Sequence, residues 1–175
     1  MKKIILISVS VIAVAICAVI IFMVASANKI DLNDSSKWVN VSHSEFSVKL
    51  PEALESSTQL YSTSLGTEQI ACYSKDEVFF SAAKKGMSSA DISRLDLKTY
   101  LNNLTINGEP VNPVEVNGGY YYRAKGSNSS GEIFRIDAIF KNDSAVYSVS
   151  TGCPALERTQ YEESMIKWIE SFYLN

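Results

Sequence analysis

The side chains of this 175-residue chain that could do chemistry are few. His43 is the only histidine, which excludes metal sites built from several histidines. It lies between Ser42 and Ser44, where we expect a solvated hairpin turn. The chain contains no G-x-S-x-G, H-E-x-x-H, P-loop or G-x-G-x-x-G pattern. We therefore predict no catalytic residue, no metal ligand set and no cofactor.

Cys72 and Cys153 lie 81 positions apart in the part of the chain that follows the apolar N-terminal segment. In an oxidising compartment they could form a disulfide, which would contribute about 4–5 kcal/mol in the chain-entropy account. Two buried free thiols are an equal alternative. A functional thiol is the third, although no neighbouring residue in the sequence would lower the pKa of either cysteine.

The most aromatic stretch is Tyr120-Tyr121-Tyr122-Arg123. On a strand, Tyr120 and Tyr122 share one face while Tyr121 and Arg123 share the other. Tyrosine and arginine are favoured at binding surfaces, so Tyr120, Tyr122 and Arg123 are a candidate partner surface. The alternative is that the tyrosines are ordinary strand residues that pair with Phe134 or Tyr147 on a neighbouring strand.

Acidic residues form no obvious catalytic pair. Asp91, Asp96, Glu162 and Glu163 fall near predicted helix starts, where carboxylates suit the helix dipole. A carboxylate pair for hydrolysis is not excluded by the sequence, but none stands out.

The elements that must position these side chains are those of an α+β domain. Alternating apolar and polar residues predict strands at 37–42, 45–50, 66–74, 77–84, 113–116, 119–126, 131–142 and 144–151. Ser93 is the predicted cap of a helix whose apolar face begins at Leu97. Thr159 to Glu162 fit the capping box of a second helix. The expected architecture is a mostly antiparallel sheet covered by two main helices.

The strand predicted at 131–142 is apolar on one face and mixed on the other. Phe134, Ile136, Ala138 and Phe140 share the first face, and Ile133, Arg135, Asp137 and Ile139 share the second. A sheet that is partly apolar on its second face usually has something packed there. We therefore expect cover on both faces of the sheet.

The N-terminal segment predicts the compartment. Residues 4–27 carry no charge and would form a helix of about 36 Å, against a hydrocarbon core of about 30 Å. Lys2 and Lys3 precede it, which predicts a single-pass anchor with a cytoplasmic N-terminus and an extracytoplasmic remainder. The alternative is a cleaved signal peptide, because Ala25-Ser26-Ala27 fits a peptidase site, although the apolar run exceeds the usual ~7–15 residues.

The remaining chain is acidic. After Ala27 it carries 14 Lys and Arg (16 less Lys2 and Lys3) against 19 Asp and Glu, which excludes a basic nucleic-acid-binding surface as its main feature. Residues 28–37 are polar and predict a linker, and residues 38–175 predict one extracytoplasmic domain of ordinary size.

Two motifs resemble the PsbP-like family. They are the strand end Phe46-Ser47-Val48-Lys49-Leu50-Pro51 and the helix end Ile169-Glu170-Ser171-Phe172. The resemblance spans about 37–172. It implies an α/β/α sandwich like that of the extrinsic photosystem subunit, a Ran-binding nuclear-transport factor and many exported bacterial proteins. Members of the family mostly act as binding or assembly modules without catalysis, and none of their functional residues maps onto this chain.

The combined prediction is a non-catalytic binding or scaffold module of unknown ligand, anchored in the membrane by residues 4–27. Its expected partner is a membrane or cell-envelope protein, and no nucleic acid is expected. The alternative function is a cell-envelope hydrolase with a carboxylate-based or thiol-based site.

Overall fold

The computed structural model of the chain describes residues 31–59, 68–106 and 108–175. The predicted anchor at 4–27 and its signal-peptide alternative therefore lie outside the described residues, as do the first residues of the predicted linker. In the described ranges, no helix has both the length and the apolar character needed to cross a bilayer.

The described residues form an α+β domain in which most strand pairs are antiparallel. In chain order the strands are β1 (Trp38–Ser42), β2 (Phe46–Pro51), β3 (Glu55–Ser56), β4 (Glu68–Lys75), β5 (Val78–Gly86), β6 (Thr105–Ile106), β7 (Glu109–Pro110), β8 (Val114–Val116), β9 (Gly119–Asn128), β10 (Gly131–Lys141), β11 (Ala145–Pro154) and β12 (Tyr173–Leu174). The helices are α1 (Ser89–Arg94), α2 (Leu97–Asn102) and α3 (Arg158–Glu170). Each predicted strand overlaps an observed one.

The strands form one large sheet and two small ones. The large sheet has the order β3-β4-β5-β11-β10-β9-β8, a second sheet has the order β1-β2-β12, and β6 pairs with β7. Long antiparallel hairpins build the centre of the large sheet, where β10 pairs with β9 on one side and with β11 on the other. The mostly antiparallel sheet predicted from the sequence is confirmed.

Both faces of the large sheet are covered, as the mixed face of β10 predicts. Phe134, Ile136, Ala138 and Phe140 belong to the larger core, which includes apolar residues of β2 and α3. Ile139, on the opposite face of β10, packs in a second core with Leu97 and Leu101 of α2. Burial of these two faces is the main favourable contribution to folding of the sheet.

The single helix predicted after Ser93 is wrong, because two short helices occupy that region. Ser88, not Ser93, caps α1 and accepts a hydrogen bond from the Asp91 backbone N–H. Asp96 caps α2, since its Oδ1 accepts from the Thr99 N–H at 2.6 Å. Leu95 and Asp96 are extended, and Lys141 Nζ donates to the Leu95 carbonyl at 2.5 Å, which satisfies the end of α1.

The capping box predicted at Thr159 is also wrong. Helix α3 begins at Arg158, and its cap residue, Glu157, makes no side-chain capping bond. The side chain of Glu162 instead accepts hydrogen bonds from Arg123 and Arg158.

The domain begins earlier than predicted. Leu32–Asn175 form one compact unit, whereas the sequence placed a linker at 28–37 and the start of the domain at 38. Leu32 is 3% exposed, and its carbonyl accepts a hydrogen bond from Trp38 Nε1 at 3.0 Å. Asn33 Oδ1 accepts from the Ser164 hydroxyl of α3 at 2.6 Å. The second half of the predicted linker is therefore part of the fold.

Candidate functional site

Strand β9 is longer than its outer neighbour, and this mismatch creates a free sheet edge. It pairs with β10 from Tyr120 to Asn128, but β8 covers only Gly119 to Tyr121 on the other side. Among the described residues, no strand pairs with 122–128 of β9 on that outer side. We call residues 122–128 the free edge.

A cavity of about 480 Å³ lies against the free edge. Its lining comes from the β6–β7 region, β9, β10 and the start of α3: Ile106, Glu109, Pro110, Val111, Asn112, Arg123, Ala124, Lys125, Phe134 and Arg158. We call this cavity the edge cleft. Its volume falls in the range of about 300–1,000 Å³ that is typical of ligand pockets.

The edge cleft is cationic although the domain is acidic. Its lining includes Arg123, Lys125 and Arg158 against one carboxylate, that of Glu109. Arg123 and Lys125 are two residues apart on β9, so both side chains project on the face that carries α3. Arg158 stacks on that face, with its guanidinium carbon 4.5 Å from the centroid of the Phe134 ring.

One carboxylate holds both arginines. Glu162 Oε1 accepts from Arg123 Nε at 2.6 Å, and its Oε2 accepts from Arg158 Nε at 2.7 Å. Hydrogen bonds from Arg158 and Arg123 lower the pKa of Glu162, which therefore stays ionised. A single negative charge is shared by two positive charges, so the arginines keep a net positive charge and unused N–H donors.

The predicted partner surface of Tyr120, Tyr122 and Arg123 does not exist as one surface. Tyr122 is 1% exposed and lies in the second core with α2, and Tyr120 is half-buried beside it. Arg123 is exposed on the opposite face. The tyrosines are strand residues, but Tyr122 pairs with Asp137 and Tyr120 with Ile139, rather than with Phe134 or Tyr147.

Two cationic residues of the edge cleft, Lys125 and Arg158, were missed from the sequence. Lys125 carries a usable signal, because it follows Arg123 by two positions on a predicted strand and must share its face. Arg158 carries no signal of that kind, since only the docking of α3 beside β9 and β10 brings it to the cleft.

Cys72 and Cys153 are both free and buried, which is the second of the alternatives left open by the sequence. Cys72 pairs with Ser81, which pairs with Ser150 on β11, and Cys153 lies three residues beyond Ser150. That odd spacing places the two thiols on opposite faces of the sheet, with β5 between their strands. Two strand spacings of about 4.8 Å exceed the 4.4–6.8 Å between Cα atoms that a disulfide requires.

The thiols also lack activation. Burial raises the pKa of Cys72, and burial, together with Glu157 and Glu162, raises the pKa of Cys153 to about 12. Each thiol is therefore held in its protonated form at neutral pH, whereas a thiol nucleophile acts as the thiolate.

His43 lies between β1 and β2, as predicted, but it is half-buried rather than fully solvated. Its ring stacks on Phe46 with centroids 5.0 Å apart, and its Nδ1 accepts from the Glu45 N–H at 3.3 Å. The imidazole therefore helps to shape the β1–β2 turn.

Asp137 and Glu45 are each held by a cation and a hydroxyl group. Asp137 is buried and receives two hydrogen bonds from Arg135, at 2.6 and 3.1 Å, and one from the Ser150 hydroxyl at 2.7 Å. Glu45 Oε2 receives both Lys84 Nζ and the Tyr147 hydroxyl at 2.6 Å. In the ranges that the structure describes, no three His, Cys, Asp or Glu residues are grouped to hold a metal ion.

The fold is similar to several solved structures at low sequence identity. The structure is similar to cyanobacterial PsbP (CyanoP) from Synechocystis, with a TM-score of 0.49 and 10% identity over 85% of this chain and 95% of that chain. It is similar to a protein from Bacteroides thetaiotaomicron, with a TM-score of 0.45 and 12% identity over 74% of this chain and 45% of that chain. LpqN, involved in cell envelope biogenesis of Mycobacterium tuberculosis, gives a TM-score of 0.37 and 11% identity over 83% of this chain and 82% of that chain.

The PsbP-like family is the one that the sequence motifs resemble, and a PsbP structure is among those to which this fold is similar. No family model matches the chain, and no curated protein matches it. The likeness concerns fold alone, and no ligand, partner or activity is carried over from these proteins.

Proposed function

We propose that the chain is a non-catalytic binding module, held on the extracytoplasmic side of a membrane by residues 4–27. In this proposal the edge cleft binds an anionic segment of a membrane or cell-envelope protein. The observation that carries the proposal is the clustering of Arg123, Lys125 and Arg158 around one cavity of about 480 Å³.

Charge supports this choice of ligand. The chain after Ala27 has an excess of five carboxylates over Lys and Arg (19 against 14), so a cationic cavity is a local exception. Guanidinium groups bind carboxylates through short, charge-assisted hydrogen bonds. Because Glu162 leaves donors of Arg123 and Arg158 unused, a second carboxylate from a ligand has partners in the cleft.

The membrane part of the proposal rests on the sequence. Residues 4–27 are uncharged and long enough to span, and Lys2 and Lys3 favour a cytoplasmic N-terminus. Fractionation of cells that express the full chain checks this part. We expect the chain in the membrane fraction. After the cell envelope is opened with the plasma membrane left intact, protease added from outside should digest the C-terminal domain. Recovery of the intact chain in the cytosol would overturn it.

Site-specific photocrosslinking in cells tests binding at the cleft. A photoreactive residue replaces Asn112, which lines the cleft and leaves its charges intact. The matched control replaces Asn40, an exposed asparagine on β1. We expect a discrete adduct from position 112 only, and we expect its loss when Lys125→Ala and Arg158→Ala are added.

A second control addresses charge in general. Lys49→Ala removes an exposed lysine of β2 and should leave the adduct from position 112 unchanged. Equal adducts from positions 112 and 40, no adduct from 112, or an adduct that survives Lys125→Ala with Arg158→Ala would each overturn binding at the edge cleft.

A further inference from the structure

The free edge presents backbone hydrogen-bonding groups that no other described segment of the chain uses. The turn between β8 and β9 is a two-residue turn in which Asn117 and Gly118 both have positive φ, +42° and +77°. Val116 therefore pairs with Gly119 and Val114 with Tyr121 as the hydrogen-bonded pairs of this hairpin. Residues of odd number in β9 thus direct their N–H and C=O groups away from β10.

The same alternation continues beyond the end of β8. Arg123, Lys125 and Ser127 follow Tyr121 at intervals of two, so their N–H and C=O groups also face outward. The backbone hydrogen bonds between separate segments of the described chain include none to these three residues. Three residues with one donor and one acceptor each form a template for one more strand.

The cavity lies on this template. Arg123, Ala124 and Lys125 of β9 line the edge cleft together with Val111 and Asn112, which precede β8 in the chain. Arg123 and Lys125, whose backbone groups face outward, therefore both border open volume. That volume is what an added chain would occupy.

Charges on an edge strand usually prevent unwanted pairing. Arg123 and Lys125 have that effect on a second copy of this edge, because like charges would face each other. They have the opposite effect on an acidic strand, and Arg158 adds a third cation on the same face. These charges therefore disfavour pairing of the free edge with a second copy of itself and favour pairing with an acidic strand.

We infer that the edge cleft accepts an extended acidic segment of a partner protein as an additional β-strand beside β9. This inference rests on the proposed function and specifies how the ligand is held. Residues of the segment opposite Arg123 and Lys125 lie on the face of α3 and carry carboxylates. Residues between them lie on the face of Ala124 and Val111, both buried apolar residues, and are small or apolar.

The recognised motif is thus an alternation of acidic and apolar residues. Backbone hydrogen bonds supply affinity without regard to sequence, and the alternating side chains supply specificity. A slip of one residue would place the carboxylates on the apolar face, so the register is fixed by charge.

Disulfide trapping on the full chain in detergent tests this geometry. Ser127→Cys places a thiol on the free edge at an exposed position and keeps the charges of the cleft. The probes are short peptides of alternating glutamate and valine, each with one cysteine at a successive position. The matched control is Ser42→Cys, an exposed serine on β1, which is also an edge strand.

We expect Ser127→Cys to trap peptides in which cysteine replaces a glutamate. The yield should be at least about tenfold higher than for peptides in which cysteine replaces a valine, which corresponds to a preference of about 1.4 kcal/mol. We expect little trapping by Ser42→Cys, and little by Ser127→Cys when lysine replaces glutamate in the peptides. Opposed residues on paired strands have Cβ atoms about 4.5–5.5 Å apart, which explains the expected period of two.

The outcomes separate the two proposals. Equal trapping at glutamate and valine positions would overturn strand addition. It would leave standing the proposal that acidic segments bind at the cleft. Trapping by Ser127→Cys that does not exceed Ser42→Cys would also overturn strand addition. In that case an adduct at Asn112 that depends on Lys125 and Arg158 would leave the proposed function standing.

Discussion

Arg123 and Glu162 are 39 positions apart in the chain, yet Nε of the arginine lies 2.6 Å from Oε1 of the glutamate. This contact joins the free edge of the large sheet to helix α3. Because Arg158 binds the other oxygen of the same carboxylate, both guanidinium groups are oriented before any ligand arrives. Groups oriented in advance lose less conformational entropy when they bind.

Replacement of Glu162 by glutamine should change the acid stability of the domain. The pKa of Glu162 is lowered from its ordinary value of 4.5, first by Arg158 and then by Arg123. The ionised Glu162 carboxylate therefore contributes fully to the free energy of unfolding above pH 4.5, and this contribution is lost as pH falls through the lower folded-state pKa. We expect Glu162→Gln to be less stable at neutral pH by less than about 1 kcal/mol, and the difference to vanish in acid.

Urea unfolding of the full chain over a pH series measures this difference. Trp38 and Trp168 are the two tryptophans, so their fluorescence reports on the described domain alone. Glu132→Gln, at an exposed position, is the control and should follow the wild type. Coinciding pH profiles for the wild type and Glu162→Gln would contradict the prediction.

Tyr147→Phe should destabilise the domain by about 1 kcal/mol, the net contribution of one hydrogen bond. The Tyr147 ring is buried, and its hydroxyl donates to Glu45 Oε2 at 2.6 Å, which fixes the β1–β2 turn to the large sheet. Tyr173→Phe is the control, because Tyr173 is 56% exposed. Equal midpoints for both variants in urea would show that the buried hydroxyl contributes nothing.

The same tyrosine predicts an alkaline limit. Burial and the Glu45 carboxylate raise the pKa of Tyr147 above its ordinary value of 10.0. A raised folded-state pKa gives stability that is complete below pH 10 and is lost as pH rises through that pKa. We expect the wild type to lose stability above pH 10 faster than Tyr147→Phe. We also expect its tyrosinate absorbance to contain a late-titrating component that Tyr147→Phe lacks. An equal loss of stability above pH 10 in the wild type and in Tyr147→Phe would refute this prediction.

Both thiols of the domain should resist alkylation until the protein unfolds. Cys72 and Cys153 are buried, and the raised pKa of Cys153, about 12, leaves almost no thiolate at neutral pH. Mass spectrometry after timed exposure to iodoacetamide measures the extent of reaction at each site. Ser127→Cys is the exposed control and should react at once. Prompt labelling of Cys153, or a 72–153 crosslink without reductant, would disprove the prediction.

Gly152→Ala should be destabilising by about 1–3 kcal/mol, the usual cost of overpacking. A Cβ at position 152 would lie 2.5 Å from a carbon of the Phe79 ring and 3.1 Å from the Phe134 carbonyl oxygen. Gly86→Ala is the matched control, since a Cβ there meets no atom within 4 Å. The thermal midpoint of Gly86→Ala should stay near that of the wild type. A Gly152→Ala protein with an unchanged midpoint would contradict the proposed packing.

The strands were predictable because their side chains alternate. The two faces of β10 follow from the sequence, and the structure places Phe140 and Ile139 in different cores as that alternation requires. The two short helices were not predictable, because Asp96 could serve either as the N-cap of α2 or as a first-turn residue of a longer helix. Its capping bond to Thr99 accompanies an extended backbone at Leu95 and Asp96, where Lys141 donates to the Leu95 carbonyl.

The edge cleft was predictable only in part. Arg123 was singled out, and Lys125 follows from it by the period of a strand. Arg158 reaches the cleft because α3 packs across the sheet, a contact between residues distant in the chain that no local pattern records. The choice between a disulfide and two free thiols could not be made from the sequence for the same reason, since the strand order that inserts β5 between Cys72 and Cys153 is a property of the topology.

Strand β12 pairs with β2, and the Asn175 N–H donates to the Glu45 carbonyl at 3.0 Å. The sheet of β1, β2 and β12 is therefore completed by a strand that follows every strand of the large sheet in the chain. The same closure brings Phe172 onto Phe46, with ring centroids 5.0 Å apart. Pairing between segments so distant in the chain slows folding, and it lengthens the time during which chaperones and proteases meet a partly folded chain.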